Sequence, residues 1–92
     1  MQYLLKDVTT PTDGDSTVLH HKGNINTLIQ VAGNGASSFN VVIEGRINEQ
    51  FSWATFATIT DETPVNLVVP RHIRARLTAV TGSSGLSVGV QE

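Results

Sequence analysis

Cysteine is absent from the 92 residues, so neither a disulfide nor a cysteine-ligated zinc can staple this chain. Its stability must come from packing or from partners. Charge is scarce too: Asp, Glu, Lys and Arg make up 15% of the residues and leave a net charge of −2. A surface this weakly and negatively charged has no long-range attraction for nucleic acid or for an anionic membrane, and neither is expected as a partner. Aromatics amount to only 5%, so a core must be built from Val, Ile and Leu with few large anchors. No run approaches the roughly 18 apolar residues that a membrane-spanning helix needs, and the N-terminal MQYLLKDVTT lacks a basic region followed by a long apolar stretch. Synthesis as a soluble cytoplasmic protein is the expectation.

What the chain does have is alternation. From Phe39 the apolar residues Phe39, Val41, Ile43 and Ile47 fall at odd positions, and Asn40, Glu44 and Arg46 at even ones, the period of a half-buried strand. The polar run Asn48-Glu49-Gln50 predicts a reversal into a second strand from Phe51, with Trp53 returning to the buried face. After Trp53 the alternation slips, and a β-bulge near Ala54-Thr55 would carry both Trp53 and Phe56 into the core. A helical turn through Trp53, Phe56 and Ile59 is the weaker alternative, because Thr55, Thr58, Ile59 and Thr60 are β-branched.

The flanking segments read the same way. Tyr3, Leu4, Leu5 and Val8 predict a short first strand or an arm, so residues 1–8 are either an edge strand or an interface arm. Thr9 to Ser16 is a run of turn formers. Thr17 to Lys22 and Ile25 to Ala32 predict a hairpin about Gly23-Asn24, with Ile25, Thr27, Ile29 and Val31 on one face. Val65, Leu67 and Val69 lie between Pro64 and Pro70, which predicts a short strand near a sheet edge. Ile73, Ala75, Leu77 and Ala79 alternate with His72, Arg74, Arg76 and Thr78, and Leu86, Val88 and Val90 close the chain after a Gly- and Ser-rich turn. Seven to eight short strands with no helical period point to one all-β domain over residues 1–92, an antiparallel β-sandwich or jelly roll.

Few constellations suggest chemistry. Asp13-Gly14-Asp15 has the opening of a calcium loop but none of the later ligands, and reads as a turn. His20 and His21 would point to opposite faces of a strand and cannot chelate one ion, and His72 reads as a partly exposed strand histidine. The serines lie outside any nucleophile-elbow pattern. No enzyme activity and no cofactor is expected. Arg71, Arg74 and Arg76, with Arg46 across the sheet, form the one basic concentration. They read either as a contact for an acidic partner or as cross-strand partners of Glu44 and other outward acids.

The order VVIEGRINEQ, FSWATFATIT, a short strand ending in Pro, and IRARLTAVTGSSGLSVGV resembles the small all-β accessory virion proteins of tailed bacteriophages, over residues 28–90. In those chains a strand ending in an apolar-Glu-Gly step precedes a polar turn and a Trp- or Phe-led strand. The tip there is usually Gly-rich, where this chain has Asn48-Glu49-Gln50. The resemblance implies a capsid decoration (cement) protein on the outside of the phage head, often a homotrimer, that bridges coat subunits of the major capsid protein. Tyr3, Leu4, Leu5, Arg71, Arg74 and Arg76 are the expected contacts. The alternative is a tail- or fibre-associated sandwich that binds a glycan or another virion protein. Sugar sites present exposed aromatics, and with Trp53 and Phe56 in the core only Tyr3 and Phe51 are left for that.

Overall fold

A computed structural model describes residues 2–14, 16–19, 25–82 and 85–91. Among them nine strands form two antiparallel sheets and there is no helix: β1 (Gln2–Val8), β2 (Thr12–Asp13), β3 (Thr17–Val18), β4 (Ile25–Ala32), β5 (Ser38–Arg46), β6 (Ala54–Ile59), β7 (Val65–Val69), β8 (His72–Thr81) and β9 (Leu86–Gln91). The first sheet has the order β1-β9-β4-β7. The second has the order β2-β8-β5-β6, with β3 also pairing β8. The all-β antiparallel class is as the alternation indicates, with nine strands in place of seven or eight.

The alternating faces meet between the sheets. Ile29 and Val31 of β4 and Val88 and Val90 of β9 are buried from one side, and Val41 and Ile43 of β5 with Ile73, Ala75 and Leu77 of β8 from the other. Because β9 lies between β1 and β4, even its polar Ser87 is buried, and its hydroxyl accepts a hydrogen bond from the Asp7 amide at 3.1 Å. At Gly14 three segments converge. A Cβ there would lie 2.7 Å from the Ala75 carbonyl oxygen and 2.8 Å from that of Leu4, so only glycine fits.

Several local expectations fail because a long-range pairing outweighs the local pattern. The described parts of the expected hairpin lie in different sheets: β3 pairs with β8 in the second sheet, and β4 pairs with β7 and β9 in the first. The expected turn at Gly23-Asn24 lies outside the described residues. The β5–β6 hairpin does carry the expected bulge, with Phe56 as the extra residue between Ala57 opposite Ile43 and Thr55 opposite Glu44, but it takes neither Trp53 nor Phe56 into the core. Trp53 precedes β6 and lies half-buried outside the core. Phe56 leans over Gly45 and Pro70 at the mouth of the core and stays 42% exposed. Ile47 follows the last residue of β5 and is 72% exposed, so it leaves the core with the turn. A second irregularity at Thr78 of β8 shifts the alternation there. Ala79 is exposed, and Val80 packs on the core.

Candidate functional site

The even residues of β5 and β8 lie side by side on the outer face of the second sheet. Val42 faces Arg76, Glu44 faces Arg74 and Arg46 faces His72. Glu44 is the hub: only 7% exposed, it accepts a hydrogen bond from Arg74 Nε at 2.7 Å and lies 3.6 Å from Arg76 Nη1. Arg76 Nε in turn donates to Asp13 Oδ1 at 2.9 Å, and that bond holds the Asp13 carboxyl below its ordinary value while raising the Arg76 guanidinium. Both effects are those of two exposed groups and count for little in stability.

Toward the β5–β6 tip the ladder turns aromatic. Arg46 Nε donates to His72 Nδ1 at 2.8 Å. The His72 ring stacks on Trp53 with 5.4 Å between centroids and 8° between planes. The guanidinium carbons of Arg46 and Arg74 lie 4.1 and 4.5 Å from the Trp53 centroid, within the range of cation–π attraction. His72 is therefore buried, contrary to the exposed strand histidine expected. Trp53 serves as the cover of this polar row and not as a core anchor.

The same end of the sandwich carries most of the exposed apolar surface. Among the described residues six large apolar side chains are exposed: Tyr3, Val18, Ile47, Phe51, Phe56 and Val68. All but Tyr3 line two clefts that share Ile47. One runs past Val18, Ile47, Arg71 and His72. The other runs past Ile47, Phe51, Phe56, Val68 and Pro70. Ile47 and Phe51 are exposed in the turn that follows the last residue of β5. Val18 and Val68 lie on the solvent faces of their sheets. Scattered single hydrophobics are ordinary on a protein surface, but a contiguous group marks a contact site.

The expected contact residues are thus divided. Leu4 and Leu5 are both buried in the core, since the register of β1 against β9 slips between Tyr3 and Leu5 and turns both leucines inward. They are not available to a partner. Tyr3 is exposed on β1, with Lys6 Nζ 5.2 Å from its ring centroid. Arg74 and Arg76 are occupied by Glu44 and Asp13, the cross-strand pairing that was one of the two readings. Arg71 donates from Nε to the Leu19 carbonyl at 3.1 Å, and neither it nor Arg46 has a carboxylate partner among the described residues. Ile47 and Phe56 carry the alternation of core residues and yet are exposed, and Val18 and Val68 join them with no signal in the sequence.

Comparison with protein families, curated proteins and solved structures gave no match to this chain. Among the described residues no three His, Asp or Glu side chains are placed to share a metal ion. Asp13 is spent on Arg76, and its would-be partner Asp15 lies outside the described residues, as do His20 and His21. No helix among the described residues is long and apolar enough to cross a membrane. What the arrangement offers chemically is an apolar end edged by Arg46 and Arg71, neither of them in an ion pair among the described residues, with Glu49 in the same cleft as Arg71.

Proposed function

We propose that this chain is a non-enzymatic structural protein of a phage virion, a decoration protein that docks on the outside of the head and stabilises it by bridging coat subunits. The observation that carries the reading is the gathering of Val18, Ile47, Phe51, Phe56 and Val68 at one end of the sandwich, beside Arg46 and Arg71. An apolar centre edged by arginines that have no carboxylate partner among the described residues suits a protein surface with an acidic rim, since interfaces concentrate aromatics and Arg at their centres. The contact on one copy is small, so bridging relies on several copies acting together in a homo-oligomer, where each added contact raises avidity. The experiment is co-sedimentation with mature heads that lack the protein and with immature heads, comparing the natural chain with a Phe51→Ser, Ile47→Ser variant. Saturable binding to mature heads at a fixed ratio to coat subunits, lost in the variant, supports the reading; no binding at micromolar concentration overturns it.

One observation favours the alternative, a tail- or fibre-associated module for glycans. Trp53 lies outside the core, and Phe51 and Phe56 are exposed, so aromatic surface is less scarce than the sequence indicates. Trp53 is the only tryptophan, so saturable quenching of its fluorescence by a sugar would decide for that reading.

A further inference from the structure

The outer strands of the two sheets differ in how their free edges are guarded. An unprotected edge is a template for another strand, and proteins blunt it with charge, bulges, brevity or proline. On β1 the guards are Lys6, two register slips and Asp7, held at a φ of 53°. β2 and β3 are two residues each. β6 carries the bulge at Phe56. β7 differs: all five of its residues pair with β4 without a slip, and its sequence VNLVV has no charge. Its other edge has no hydrogen-bonded strand among the described residues, and its Val65 and Leu67 are left half-buried.

The strand and its flanks are also self-complementary. Leu67 is the midpoint, with Pro64 and Pro70 equally distant on either side, so the prolines end the strand without interrupting it. The acids Asp61 and Glu62 precede it, and Arg71, which has no carboxylate partner among the described residues, follows it. We propose that β7 pairs antiparallel with β7 of a second copy of this chain, about a two-fold axis through Leu67, so that the two four-stranded sheets become one of eight strands. In that register Asn66 faces Val68 of the second copy, and Thr63 faces Arg71. The acidic turn of each copy then meets the Arg71 of the other, whereas a parallel pairing would set acid against acid. Leu67 meets its own counterpart, which covers the side chain that the single copy leaves half-buried. An isologous contact of this kind closes at two copies. It takes up Val68 and Arg71 of the exposed end and leaves Val18, Ile47, Phe51, Phe56 and Arg46 for a coat surface, and its test needs only the purified protein.

Sedimentation equilibrium of the full chain, from about 1 to about 100 µM, spans the range in which a modest interface assembles. A species of twice the 9.9 kDa chain mass is expected. Asn66 and Val68 are both exposed and face each other only across the axis. A variant with Asn66→Lys and Val68→Lys sets like charges directly opposite at both pairs and is expected to weaken dimerisation at least about tenfold. One with Asn66→Glu and Val68→Lys sets opposite charges there and is expected to keep the dimer. Because both variants contain Val68→Lys, a folding defect from that change would appear in both. The proposal is overturned by a monomer across the range, by a trimer, by a doubly lysine-substituted dimer as tight as the natural one, or by equal loss in both variants.

Discussion

Removing the Glu44 carboxylate should loosen the whole outer row of the second sheet. Glu44 is nearly buried, and its partner Arg74 keeps 24% of its side chain exposed. Exposed ion pairs contribute about 0–1 kcal/mol, while breaking a buried one costs about 3–5 kcal/mol because a charge is stranded. The geometry falls between these limits, so Glu44→Ala is expected to cost about 2 kcal/mol. For a domain of this size that lowers the melting temperature by about 10 °C. Arg74→Ala alone should cost less, because the nearby Arg76 still faces Glu44. The double variant should be more stable than the sum of the two losses by about 1 kcal/mol, the signature of a shared interaction. Urea denaturation followed by the fluorescence of Trp53 suits the test, since the Arg74 guanidinium lies over that ring. If the two losses simply add, the pair is not coupled and the description of Glu44 as a hub is wrong.

Other expectations follow from the packing. Gly14→Ala forces a methyl group against two carbonyl oxygens and should cost about 1–3 kcal/mol, measurable in the same denaturation assay. Phe56→Ser should cost about 1 kcal/mol, since the ring is only partly covered, whereas Ile43→Ala, at a fully buried position, should cost about 3 kcal/mol. Equal costs would mean that Phe56 is a core residue after all. Because the Asp13 carboxyl is held below its ordinary value, its pairing with Arg76 contributes fully above the unfolded value near pH 4, and the contribution is lost as pH falls through the lower folded value. Asp13→Asn should therefore lower stability slightly at neutral pH, with a difference that shrinks as pH falls below the ordinary carboxylate value, read from melting curves across the acid range.

The class of the fold was legible in the sequence because period-2 alternation is a property of each strand taken alone. Val41 and Ile43, Ile73 to Leu77, and Leu86 to Val90 announce their buried face without reference to any neighbour. The placing of β7 at a sheet edge was legible for a related reason, since Pro64 and Pro70 cannot sit inside a central strand. The candidate site was legible only in part. The arginine alternation and its pairing with Glu44 could be read, because cross-strand partners are chosen among the outward residues of strands already recognised.

What the sequence could not supply is everything that depends on which strands become neighbours. Turn chemistry at Gly23-Asn24 favours a hairpin, yet β3 and β4 belong to different sheets, because β3 takes the edge of β8 that β5 leaves open, pairing with the same His72 and Ile73 from the other side. Residues 1–8 read as an edge strand or an arm, and the pairing of β1 with β9 makes them an edge strand that carries Leu4 and Leu5 into the core. Ile47 and Phe56 carry the same apolar signature as Ile43 and Ile59. Only the end of β5 at Arg46 and the bulge opposite Glu44 put the first two in solvent, and Trp53 on the outer face. Alternation therefore determined that the chain is a two-faced β protein, because that pattern is local. Tertiary pairing decided which apolar residues remained exposed, because burial is completed only when a second sheet arrives to cover them.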